Sequence, residues 1–205
     1  MAGNGKIDAA RLTSGLIAVF LSLWFGFQWN GNPALLLASL FFLVISVTDT
    51  LFAKIHNLSV VGLLVAGSVL NFHQTGVSGL VDAGLGLIVG ICLLLGPYLF
   101  GGMGAGDVKA LGALGALIGP EPVFQVFLYT ALFGGILGIV HYVLNCSLRD
   151  KATAGIGAIK TFVLTHDIGD LKPGERQEKL RFPYAAAIAY GFFAYVHWGD
   201  LLAWN

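Results

Sequence analysis

The chain has 205 residues, of which 57% are apolar and only 11% charged, with 29 glycines and no formal net charge. Water-soluble domains carry roughly a quarter charged residues, so a soluble globular domain is excluded, and the neutral balance leaves no electrostatic footprint for a nucleic-acid partner. Repeated apolar runs of bilayer-crossing length predict instead an all-α, polytopic membrane protein of six to seven transmembrane helices, embedded in a lipid bilayer.

Seven apolar segments follow one another at about 12–29, 33–48, 58–72, 80–100, 108–118, 122–145 and 182–203. The polar start, residues 1–11, precedes a long apolar run without a small-residue cleavage site, which reads as a retained first helix rather than a signal peptide. Turn chemistry separates the spans at Asn30-Gly31-Asn32-Pro33 and at Gly119-Pro120-Glu121-Pro122. The fifth segment is short for a full span, which needs roughly 17 residues or more.

Charge decides how the segments are counted. With the N-terminus inside and one crossing per segment, the inside loops hold Lys6, Arg11, Lys54, Lys109, Arg149, Lys151, Lys160, Lys172, Arg176, Lys179 and Arg181, which are all 11 basic residues of the chain. That is the positive-inside rule without exception, and omitting the fifth segment would break it. The N-terminus is therefore expected in the cytoplasm. The long inside loop, 147–181, divides into a stretch with apolar residues near helical spacing, suited to the membrane surface, and a charged turn around Pro173-Gly174. It reads as a topology anchor.

The same parity brings two carboxylates to one depth. Asp49 falls at the inner end of the second segment and Asp107 at the inner end of the fifth, where a glycine-rich turn, Gly101-Gly102-Met103-Gly104-Ala105-Gly106, leads into it. Glycines allow tight turns and close backbone approach. Asp107 is placed where a helix starts, which favours a negative charge, so a simple capping role competes with a functional one. A carboxylate in a membrane segment is costly and marks a function by default. Two aspartates held together cannot both ionise easily, so one keeps a proton and the other acts as base; such a pair can activate water against a peptide carbonyl and needs no metal or other cofactor.

Other groups compete less well. Asp82 is expected in the first turn of its helix on the outside, in a capping role. The histidines are scattered, with no zinc-ligand spacing, and Cys92 and Cys146 read as small packing residues. No serine lies in a GxSxG elbow. Lys109, two residues past Asp107, points to another helix face; it either snorkels to headgroups or helps to orient the site.

These residues carry a resemblance. Gly104-Ala105-Gly106-Asp107, followed by Val108-Lys109, resembles the GxGD signature of type IV prepilin peptidases, a family of membrane aspartic proteases. The stretch from Asp49 to Asn57 resembles the family's first-aspartate element, with the aspartate-to-asparagine spacing kept and His56 where proline is usual. Pro183-Tyr184, opening a small-residue run, is similar to the start of the family's last helix. The resemblance implies catalytic Asp49 and Asp107, with Gly104, Gly106, Lys109, Asn57, Pro183 and Tyr184 shaping the site. It implies a peptidase domain over 33–205 behind an N-terminal tail and extra helix over 1–32. No CxxC pair stands in front of Asp49, so the chain is similar to the short, peptidase-only branch associated with tight-adherence (Flp-type) pili. The expected substrate is a prepilin or pseudopilin, cut after a short basic leader at the inner face of the cytoplasmic (inner) membrane. Archaeal preflagellin peptidases share these motifs. The alternative from another class is a membrane transporter or assembly component that uses the two aspartates as an ion site; against it stand their shared face and the lack of an inverted repeat.

Overall fold

The structure is a computed structural model that describes residues 9–28, 30–52, 54–99, 103–145 and 184–201. Over these residues it consists of helices: α1 (Ala9–Phe27), α2 (Pro33–Phe52), α3 (Asn57–Thr75), α4 (Val77–Leu99), α5 (Ala105–Ile118), α6 (Pro120–Asn145) and α7 (Tyr184–Trp198). Each predicted segment carries a helix, and α2, α3, α4 and α6 are each long and apolar enough to cross a membrane unaided. The chain is thus an all-α polytopic membrane protein. The tail 1–8, the loop 147–181 and Pro183 lie outside the described residues.

Local chemistry sets the boundaries. Asn32 caps α2, its Oδ1 accepting the N–H groups of Ala34 at 3.0 Å and Leu35 at 3.3 Å. Pro33 follows at the first helical position, where a missing N–H costs nothing. The helix runs on to Phe52, so Asp49 lies within its last turn. The loop expected over 73–79 shrinks to one residue, because Gly76 takes φ 69 between the end of α3 at Thr75 and the start of α4 at Val77. Glycine adopts that conformation without a Cβ penalty. Two expectations change as a result of where the helices lie. Asp82 falls in the second turn of α4, exposed, too far in to cap it, and Cys92 faces outward instead of filling the interior.

The interior is built around α5. At about 1.5 Å per residue its length is roughly 21 Å, short of a hydrocarbon layer of about 30 Å. Yet Val108 and every residue from Ala110 to Leu117 are buried, so this helix has almost no lipid-facing side. Its small residues let neighbours come to backbone contact, which is how membrane helices associate when apolar burial gives no advantage over lipid. A Cβ on Gly90 of α4 would stand 2.6 Å from the Leu111 carbonyl oxygen, and one on Gly115 would run into the Gly86 carbonyl. On the other side, the Asn71 amide of α3 donates at 3.0 Å to the carbonyls of both Ala116 and Leu117, pairing acceptors that the helix end leaves open. The same core continues between α1, α2 and α7, where Phe42 packs against Phe192 and Phe193 at ring separations of 5.4 Å and 5.7 Å.

Helix ends sort onto two faces. Tyr129 of α6 donates to the Gly199 carbonyl just past α7 at 3.2 Å, and the Leu201 N–H donates to Gln125 Oε1 at 3.2 Å. Together with Gly76 and the end of α5, these contacts mark one face. The last turn of α2, the turn 54–56 and the starts of α3, α5 and α7 mark the other. Both aspartates are on that second face, with Lys54 and Lys109.

Candidate active site

Helix α5 starts at Ala105, three residues before the expected 108, with Gly104 as N-cap in an extended conformation, φ −85 and ψ 152. Asp107 is therefore the third residue of the first turn. Its backbone N–H donates to the Gly104 carbonyl at 3.2 Å, and its Oδ2 accepts the Gly104 N–H at 3.1 Å. This reciprocal pair satisfies a donor that a helix start otherwise leaves open and holds the carboxylate in one orientation. The capping reading of Asp107 is thus met, and the same cap fixes where its carboxylate points.

Asp49 reaches the site from the opposite kind of helix end. It is half-buried in the last turn of α2, beside Thr50, whose hydroxyl donates to the Ser46 carbonyl at 2.6 Å and packs against Gly15 of α1. The Asp49 charge is felt at Asp107, so the structure brings the two carboxylates into one electrostatic neighbourhood from elements 58 positions apart in sequence. Tyr184, the first residue of α7, is within reach of the Asp107 charge, and its hydroxyl leans towards Gly134 of α6.

The segment after Asp49 is docked onto the start of α5 at two points. Ile55 is buried, and a Cβ on Gly106 would stand 3.1 Å from the Ile55 Cβ, so the second glycine of the GxGD element makes room for this isoleucine. Lys109 Nζ donates to Asn57 Oδ1 at 3.3 Å, so the lysine side chain turns to a protein partner rather than solely to headgroups. Gly104, Gly106, Asp107, Lys109, Asp49, Asn57 and Tyr184 all gather at this face. Sequence reasoning included Ile55 in the Asp49–Asn57 stretch without giving it a place in the site, and it missed the partner of Lys109.

Among the described residues no three His, Cys, Asp or Glu side chains converge as metal ligands would. An apolar cavity of ≈ 580 Å³ lies among α1, α6 and α7, lined by Trp24, Phe133 and Phe193 among others, and neither aspartate borders it. Residues 36–139, half of the chain, match the sequence profile of the type IV leader peptidase family. The chain belongs to that family. The match takes in both aspartates, the Ile55–Asn57 turn and Lys109.

Curated relatives agree with this placement. A prepilin leader peptidase/N-methyltransferase of Xanthomonas campestris pv. campestris is 34% identical over 139 residues, covering 64% of this chain and 47% of the relative. Proteins of the same name from Stutzerimonas stutzeri and Bacillus subtilis are 33% and 25% identical, over 66% and 63% of this chain and 48% and 52% of their own lengths. The chain spans about half the length of the curated relatives it matches. No solved structure matches it.

Proposed function

We propose that this family member is an aspartic endopeptidase of the cytoplasmic (inner) membrane that removes the short basic leader of a type IV prepilin or pseudopilin. Asp49 and Asp107 form the catalytic pair. The observation that supports it best is the convergence of these two carboxylates, from the end of α2 and the start of α5, on the face that also carries Lys54 and Lys109. By the positive-inside rule this face is cytoplasmic. A prepilin with a basic leader before an apolar helix would present its scissile bond at that depth.

In the reaction one carboxylate takes a proton from water as the water oxygen attacks the scissile carbonyl carbon. The protonated partner gives its proton to the carbonyl oxygen, forming a neutral tetrahedral intermediate. Collapse of the intermediate passes a proton to the amide nitrogen, the C–N bond breaks, and the pair returns to its singly protonated state. The Gly104 N–H on Asp107 Oδ2 holds one member of the pair in place throughout. No step calls for a metal.

Purified protein in liposomes with a prepilin polypeptide tests this. Asp49→Asn and Asp107→Asn preserve size and most hydrogen bonding; each should lower cleavage by ~10²- to 10⁴-fold, with the double variant hardly worse than either single one. Asp82→Asn, on the opposite face, should cleave at the normal rate, and a chelator should have no effect. Sustained cleavage by an inserted Asp49→Asn protein refutes the pair, and inhibition by a chelator that added metal reverses refutes the metal-free reaction.

A further inference from the structure

Asp107 is mounted on a helix buried on nearly every side, whereas Asp49 is followed, after the end of α2 at Phe52, by a non-helical turn that enters α3 at Asn57. Something must fix the second mount against the first. The bond between Lys109 Nζ and Asn57 Oδ1 lies where such a tie is needed. Lys109 is two residues past Asp107 and Asn57 eight residues past Asp49, so one hydrogen bond spans the two carboxylate-bearing segments. Ile55 seated over Gly106 gives the same junction an apolar contact.

We propose that Lys109 and Asn57 are a positioning pair: the charge-assisted hydrogen bond between them sets the separation of Asp49 and Asp107 in the cleaving state. The proposal rests on the two aspartates being the catalytic pair. Neither Lys109 nor Asn57 is a catalytic residue in it. Lys109 projects from a different face of α5 than Asp107, two positions and hence about 200° round the helix. Its ammonium donates to the neutral amide oxygen of Asn57. The bond is exposed, and exposed polar pairs add little to stability. Its effect is geometric, because small misplacements of reacting groups cost large factors in rate while leaving binding nearly unchanged.

Kinetics of prepilin cleavage in liposomes separate this from a merely structural role. Lys109→Met and Asn57→Ala should each lower kcat by about 10- to 100-fold with KM within about twofold. The double variant should match the worse single one, because each removes the same bond. Lys109→Arg and Asn57→Asp, which keep donor and acceptor, should retain most of kcat. Should Lys109→Met fail to accumulate in the membrane, Lys109→Gln serves with the same expectations. A kcat within twofold of normal for either single variant overturns the proposal. So does a loss that falls on KM, or a double variant whose losses multiply. Asp49→Asn run in parallel keeps the two ideas apart: if it cleaves, the catalytic pair is wrong whatever the tie does; if it is inactive while Asn57→Ala is normal, only the tie is wrong.

Discussion

Helices α2 and α5 each deliver one aspartate to the same face, yet they are built in opposite ways. α2 has 20 residues and leaves Leu40, Val44, Val47, Leu51 and Phe52 exposed to the lipid side. Its identity as a span rests on length and apolar character alone. α5 has 14 residues and buries nine of them, Val108 and the whole run from Ala110 to Leu117, with Gly115 against the Gly86 backbone of α4 and Gly67 of α3 against the Leu117 backbone. It is held by its neighbours and not by the bilayer. The difference teaches where precision comes from in this bundle. Asp107 sits at the start of a closely packed helix, and Asp49 sits in the last turn of α2, whose following Ile55–Asn57 segment is docked on the start of α5.

The harshest way to break that comparison is to widen α5. Gly115→Leu drives a side chain into the Gly86 carbonyl with no lipid face to escape into. It should cost more than about 4 kcal/mol, in the range of severe core lesions. Val44→Ala on the lipid side of α2 should stay within about 1 kcal/mol. Unfolding of the two variants in mixed micelles, followed by loss of helical signal, checks the ranking. Equal sensitivity would mean that α5 is no more tightly held than α2.

A smaller effect is expected where the two mounts touch. Gly106→Val places methyl groups where Ile55 already stands 3.1 Å from a bare Cβ position. The protein should still insert, because the collision is confined to the turn, but cleavage should fall by about 10- to 100-fold as the turn lifts from α5. Adding Ile55→Ala should recover part of the rate. Recovery is the informative outcome, since a glycine needed only for its own backbone freedom would gain nothing from a smaller neighbour.

The same contrast explains what could be read from the sequence. Helix number, class and order were legible because apolar runs record contact with lipid, and the common face of Asp49 and Asp107 was legible because basic residues record sidedness. α5 was legible only through that sidedness and the GxGD element, since a helix wrapped in protein has no need of bilayer length. Contacts between distant segments leave no periodic trace. Hence both a headgroup and a site-orienting role stayed open for Lys109 where the structure has Asn57 accepting its hydrogen bond, and Ile55 had a place in the turn but no role in the site. The loop drawn at 73–79 failed for a local reason: Gly76 alone reverses the chain, and His73 to Thr75 are polar residues that α3 can carry at its exposed end.

The mildest test concerns the turn itself, at the one position where it departs from the family's usual proline. His56 is the N-cap of α3 at φ −76 and ψ 130, inside the range that a pyrrolidine ring imposes, about −65 ± 15°. Its side chain makes no capping hydrogen bond, and its carbonyl, which accepts from Ser59 at 3.1 Å and Val60 at 3.5 Å, would be kept by proline. Among the described residues the His56 N–H is not a donor to the backbone turns around it. Proline also forces the preceding residue away from helical angles, which suits a β-branched residue such as Ile55. His56→Pro should therefore leave cleavage within about twofold and raise stability by ~0.4–1 kcal/mol, through a more restricted unfolded chain. His56→Gly should do the reverse to stability by a similar amount. Thermal unfolding and cleavage of the pair decide it. A His56→Pro protein that inserts but loses more than about tenfold in rate would show that the turn must flex to seat Asp49, and the docked geometry of Ile55 and Asn57 would then describe a resting arrangement instead of the working one.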